Sequence, residues 1–295
     1  MVFLVFFGCV TPLADLTPYV DSPRVLAVAA TPAEVEAGEA VTLTALYADA
    51  GGTLEEAPLD WAFCAAPHPL AELGPVAASC LSPDSDDLLA LGAGIRVTGV
   101  VPDDACSLFG PNPPPPQGDE PAGRPADPDA TGGYYQPALA FDADQPTLAP
   151  VRVRCGLANV TQETYVAWNS GYTSNVAPFP TLHTPGTVAA GDTVTLTVSW
   201  PGCGIGACEG AETYVVWDPE AKQLTSRREA ISATWFTTGG ELALARNGRD
   251  GADSATEVDN TWTAPDAGAA ALWVVLRDER GGVGFSGTVL TVAAR

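Results

Sequence analysis

Asp127-Pro128-Asp129 runs into Thr131-Gly132-Gly133, and Asn247-Gly-Arg-Asp250-Gly-Ala-Asp253 repeats that character, with Asp259 close behind. Alternating carboxylates in a glycine-bearing loop are the oxygen donors that a hard cation takes, so Asp127, Asp129, Asp250 and Asp253 are candidate ligands for calcium, the one cofactor to consider. Neither loop has EF-hand spacing, and aspartate with glycine also builds ordinary turns. Catalysis finds little material. There is no Gly-x-Ser-x-Gly, and the two histidines, His68 and His183, both sit in loops. A carboxylate pair of the glycosidase type arises by chance among 36 acidic residues. A non-enzymatic protein is therefore expected, with a carboxylate-dependent hydrolase as the distant alternative. Trp168, Trp235, Trp262 and the pair Tyr134-Tyr135 fall near turns or in weak patterns. Exposed, these rings would stack on the sugars of a polysaccharide or anchor a protein partner; buried, they would cap cores.

The cysteines and the charge set the surroundings. Six of seven cysteines, Cys64, Cys80, Cys106, Cys155, Cys203 and Cys208, make an even set suited to an oxidising compartment. Six allow 15 connectivities. The glycines of Cys203-Gly-Ile-Gly-Ala-Cys208 let that loop close on itself, and Cys64 with Cys80 and Cys106 with Cys155 are the expected remainder. Zinc would need clustered Cys/His spacing, which is missing. A formal charge of −23, from 36 acidic and 13 basic residues, repels a phosphate backbone. Nucleic acid is excluded as a partner, and a basic patch for anionic lipid is absent.

The elements that must position these residues are strands. Thr31-Pro-Ala-Glu-Val-Glu-Ala-Gly-Glu-Ala-Val-Thr-Leu-Thr44 aligns without a gap on Thr184-Pro-Gly-Thr-Val-Ala-Ala-Gly-Asp-Thr-Val-Thr-Leu-Thr197. Each copy holds an Ala-Gly-acid turn and then strict alternation, with Val41, Leu43 and Ala45, or Val194, Leu196, Val198 and Trp200, on one face. A tryptophan strand follows in each, Leu59-Asp60-Trp61-Ala62-Phe63 and Tyr214-Val215-Val216-Trp217, and Trp61, Trp200, Trp217 and Trp273 are assigned to cores. Strand-like alternation returns at Tyr134–Phe141 and at Val151–Cys155, while Thr161–Trp168 allows one short helix capped by Thr161. Between lie an acidic, proline-bearing insertion at 65–92 and a proline run from Gly110 that cannot join a sheet centre.

This layout resembles the bacterial immunoglobulin-like and PKD-like β-sandwich modules, over most of residues 177–295 and the first 40 or so residues of the preceding half. The resemblance implies an all-β chain: two immunoglobulin-like domains, 23–176 with a Pro-rich insertion at about 107–130, and 177–295 closing on strands around a Glu279–Gly282 turn. It implies no activity. At the start, Phe6-Phe7-Gly8-Cys9 resembles the lipobox of bacterial lipoproteins, in which the cysteine is diacylated and becomes the mature N-terminus. Residues 1–8 then read as a signal peptide truncated by a start codon placed too far downstream, and 9–22 as the lipidated Cys9 and its tether. The apolar run is too short to span a bilayer, which needs about 20 residues. Val10 after the cysteine implies an outer-membrane, lipid-anchored location, at the cell surface or facing the periplasm. The expected role is binding or spacing.

Overall fold

A computed structural model describes residues 18–67, 76–110, 131–204 and 206–295. The lipobox with Cys9, most of the tether, and Asp127 and Asp129 lie outside the described residues, as does most of the Pro-rich insertion.

The first half contains β1 (Arg24–Thr31), β2 (Glu34–Val35), β3 (Ala40–Asp49), β4 (Gly52–Thr53), β5 (Leu59–Cys64), β6 (Leu88–Ala93), β7 (Arg96–Val100), the short α1 (Ala105–Phe109), β8 (Gly133–Asp142), β9 (Gln145–Arg154) and α2 (Gln162–Gly171). The second half contains β10 (Thr181–His183), β11 (Val188–Ala189), β12 (Thr193–Ser199), β13 (Thr213–Asp218), β14 (Gln223–Arg228), β15 (Ile231–Thr237), β16 (Glu241–Leu242), β17 (Arg246–Arg249), β18 (Glu257–Thr263), β19 (Gly268–Asp278) and β20 (Val283–Ala293). In the first half the sheet β1-β3-β4, with β7 also on β3, faces the sheet β2-β9-β8-β5-β6; in the second, β10-β12-β18-β16 faces β11-β20-β19-β15-β17. The chain is all-β, built of two immunoglobulin-like sandwiches. A second helix, α1 at Ala105–Phe109, has no counterpart in the sequence pattern and covers the start of the segment read as the Pro-rich insertion from about 107.

The internal repeat is a repeat of structure. Val35 pairs in parallel with the end of β9, and Val188, its counterpart, with the end of β20. Gly38 and Gly191 then take φ of +82° and +74°, the left-handed turn for which each Ala-Gly-acid sequence is suited. The alternation that follows sends Val41, Leu43, Ala45 and Tyr47 into one core with Trp61, Phe63 and Val151, and Leu196, Val198 and Trp200 into the other with Trp235, Trp262 and Leu272.

A third apolar cluster joins the sandwiches. Leu26, Ala27, Leu46 and Ala48 of the first pack on Ala271, Trp273 and Val275 of the second, with Val20 fully buried among them. Trp273 therefore sits in the junction and not in its own sandwich core; its indole N–H donates to Thr53 Oγ1 across 2.8 Å. Trp217 is half-buried, in a separate hairpin of β13 and β14 that packs against α2. Pro18–Val20 runs beside β15: Val20 N donates to Thr237 O at 2.8 Å and Thr237 N to Pro18 O at 2.7 Å. The segment expected to be free as far as Ser22 is thus held from Pro18 onward, and held by the far sandwich.

Candidate functional site

The junction carries a buried ionic seam. The turn from β19 to β20 folds inward, so that Arg280, in a hairpin turn where a charged residue is normally solvated, is 2% exposed. Its Nε donates to Glu229 Oε1 at 2.6 Å, one Nη to Glu212, and the other to the Thr173 carbonyl at 2.7 Å. The guanidinium also covers the Tyr214 ring at 4.6 Å. Glu212 and Glu229 have no exposed surface, and Glu212 further accepts the backbone N–H groups of Cys208 and Val176. Asp278 turns its Oδ1 to the N–H groups of Arg280 and Gly282 at 2.9 and 2.8 Å and to the side-chain amide of Asn175. Asn175 N in turn donates to Glu34, which pairs with Arg152 at 2.8 Å and accepts the Tyr172 hydroxyl. The polar chain runs unbroken from β2 and β9 of the first sandwich, through the connecting segment, to β13, β15 and β19 of the second.

Two carboxylates grip the Arg280 guanidinium, and a third, Asp278, accepts its backbone N–H. Burial pushes Glu212 up to about 7 and Asp278 up to about 7, with Glu229 adding repulsion to both; Glu229 itself is raised, chiefly by burial. Such a cluster holds protons near neutral pH. Glu212 and Glu229 are enclosed, Asp278 reaches the edge of the neighbouring clefts, and the seam ties the two sandwiches together. Beside it lies a cleft of about 190 Å³ between the sandwiches, lined by Leu26, Ala27, Leu148, Pro150, Arg277 and Val283 among others.

The cysteines pair as expected: Cys64–Cys80, Cys106–Cys155 and Cys203–Cys208. The second bond joins α1 to the end of β9. The aromatic residues are corrected. Trp168, Trp235 and Trp262 are at most 1% exposed and Tyr134 4%, so they offer no face to a sugar. Trp168 lies on Gly132, where a Cβ would come within 2.1 Å of the ring, and between Tyr165 and Tyr172. Trp235 and Trp262 donate their N–H groups inward, to Asn247 Oδ1 and Gly239 O. Tyr135 keeps a partly exposed ring, but its hydroxyl donates to Arg280 O at 3.0 Å and so belongs to the seam. The calcium ligands proposed in the second loop are corrected too: Asp250 Oδ1 accepts the N–H groups of Ala252 and Asp253, and Asp253 pairs with Arg249 at 3.0 Å. Among the described residues no three His, Cys, Asp or Glu side chains group as a metal site.

The seam left no signal in the alternation, since Glu212, Glu229 and Arg280 stand at strand ends or in a turn. The one usable hint was Arg280 itself, one of few basic residues, set in a glycine turn.

No family model matches the chain, and no curated protein does. Among solved structures, similarity is found to a conjugative transposon lipoprotein of Bacteroides eggerthii (15% identity, 38% of this chain and 94% of that one, TM-score 0.26). It is found also to the fibronectin(III)-like modules of CbhA from Clostridium thermocellum (12%, 94% and 92%, TM-score 0.25) and to the superoxide reductase neelaredoxin of Ignicoccus hospitalis (13%, 39% and 81%, TM-score 0.27). Likenesses of this size carry no argument about activity.

Proposed function

We propose that the chain is a lipid-anchored extracytoplasmic protein in which two sandwiches act as one stiff spacer and presenting body, without enzymatic activity. The observation that carries this reading is the double junction. An apolar cluster around Trp273 and a buried ionic seam around Arg280 and Glu34 fix the angle between the sandwiches, where a flexible linker would be the default for a transient interface. Three disulfides suit an oxidising compartment. The strap at Pro18–Val20 adds a mechanical point. It leads the chain from its N-terminal side directly onto β15, so a pull from an anchor at Cys9 would be borne by both bodies at once. The Asp and Glu residues best placed to act as acid or base are enclosed, which favours binding or spacing over hydrolysis.

The test is mass spectrometry of the mature N-terminus of the protein made from its own gene in its native host, with small-angle scattering of the soluble body. A diacylated Cys9 and a scattering profile of a single rigid particle are expected. An intact Met1 with a free Cys9 thiol overturns the anchoring, and a profile requiring independent domains overturns the spacer.

A further inference from the structure

In a chain with 36 acidic and 13 basic residues, Arg246 and Arg277, like Arg96, Arg228 and Lys222, have no carboxylate within ion-pair distance among the described residues, and of these Arg246 and Arg277 line one cleft together. They lie on the two strands that flank β15. Register places Arg246 of β17 opposite Thr234 and Arg277 of β19 opposite Ser232. The side chains nevertheless cross: Arg246 Nη2 donates to Ser232 Oγ at 3.3 Å and Arg277 Nη1 to Thr234 Oγ1 at 3.4 Å. Both contacts are long for an N–H···O bond, which leaves most of the ten guanidinium donors of the pair unspent.

Two like charges held together in an acidic protein need a reason. Burial, and then the charge of Arg246, lower the Arg277 pKa, the signature of a cation whose counter-charge is missing. The acids that line the same cleft are engaged elsewhere. Asp250 caps its own turn, Asp278 points into the seam, and Glu279 binds Arg227 and the Tyr214 hydroxyl. Arg249, the third arginine of the cleft, is paired with Asp253. Acids beyond about 8 Å are largely screened at physiological ionic strength, and the three that line the cleft are held by the contacts just named.

We propose that Arg246 and Arg277 form a binding site for a tetrahedral oxyanion, a phosphate or sulfate ester, with Ser232, whose hydroxyl accepts from Arg246 and donates to the Arg277 carbonyl, bridging the two strands that carry them. Two guanidinium groups arriving from opposite strands can engage three or more oxygens, and a carboxylate offers only two. The cleft measures about 360 Å³. A cavity of about 150 Å³ already holds a benzene ring, so there is room for the body that carries the ester, of the size of one sugar.

The test is calorimetric titration of the disulfide-intact chain at fixed ionic strength with inorganic phosphate, sulfate, glucose 1-phosphate and acetate. Saturable binding of phosphate and sulfate is expected, with glucose 1-phosphate tightest if the anion is presented on a sugar and inorganic phosphate equal to it if the free ion is the ligand. Arg246→Gln, an exposed substitution, weakens binding about ten-fold, the equivalent of one charge-assisted hydrogen bond. Arg277→Gln does the same, with its melting curve as the check on folding, and Arg295→Gln, remote and paired with Asp192, leaves binding unchanged. Absence of saturable binding, equal affinity in Arg246→Gln and wild type, or acetate binding as tightly as phosphate overturns the proposal.

Discussion

Asn175 Nδ2 donates to Asp278 Oδ1 across 3.3 Å, while Asn175 Oδ1 and Asp278 Oδ2, the other oxygen of each group, are both buried without a partner. A primary amide and a neutral carboxylic acid form a two-bonded ring, and one proton on Asp278 Oδ2 would supply the second bond. Burial, then repulsion from Glu229, lifts Asp278 from 3.8 to about 7 and so favours that proton. Glu212, lifted from 4.5 to about 7, behaves alike. A raised acid is protonated in the folded chain where the unfolded chain has already lost its proton. Its stabilising effect is therefore complete below the unfolded value and is lost as pH rises through the folded one. The melting temperature should fall from about pH 4 to about pH 7 and level off above it, each such proton contributing about 1.4 kcal/mol per pH unit within that window. Asp278→Asn, whose amide can donate to Asn175 Oδ1 at any pH, should keep the fold and flatten the slope. A melting temperature that rises from about pH 4.5 to about pH 7 contradicts the assignment.

Among the described residues, Arg280 is the one guanidinium in contact with both Glu212 and Glu229. Arg280→Met leaves two enclosed carboxylates without their counter-charge, and removal of one partner of a buried pair costs about 3–5 kcal/mol. Urea unfolding should show that loss at pH 8 and a smaller one at pH 5, where the acids are protonated. Arg280→Lys restores charge but not the forked contacts to Glu212, Glu229 and Thr173, so it should recover only part of the stability.

Why the strands were readable and the seam was not follows from periodicity. Val41, Leu43 and Ala45 repeat every second residue, as do Leu196 and Val198, and a sheet with one buried face writes that period into any sequence. Thr161 announced α2 because a cap is a local event: its side chain accepts Thr164 N within one turn. Glu34 pairs with Arg152 across 118 residues of sequence, and Arg280 with Glu229 and Glu212 across 51 and 68, and no local pattern encodes such a contact. Trp273 shows the same limit. Its alternating strand marks it as buried, but both faces of β19 are covered, and only the packing of β1 and β3 on that second face assigns it to the junction.

Trp273→Ala tests whether the sandwiches unfold as one. The substitution removes a 1%-exposed ring together with its bond to Thr53, for a loss of about 3–5 kcal/mol. The deletion falls on the junction and spares both sandwich cores. Calorimetry should therefore resolve two transitions in the variant where wild type shows one; a single transition lowered as a whole would place the ring's contribution inside the second sandwich.

The three disulfides should differ in worth in the order of the chain they enclose. Cys106–Cys155 spans 49 residues, Cys64–Cys80 spans 16 and Cys203–Cys208 spans 5. Loop-closure entropy assigns them about 4, 3 and 2 kcal/mol respectively. The first has a further role, since it closes the excursion between α1 and β8 and ties α1 to β9, whose Arg152 holds Glu34 in the seam. The last has less to do entropically but sits beside the seam through the Cys208 N–H to Glu212 contact at 2.7 Å. Paired Cys→Ala variants, unfolded in urea, should reproduce the order. The Cys203/Cys208 double variant should in addition shift the pH dependence of stability, because loosening that loop removes one of the N–H groups that favour the ionised Glu212. An unchanged pH profile there would show that Glu212 keeps its environment without the loop.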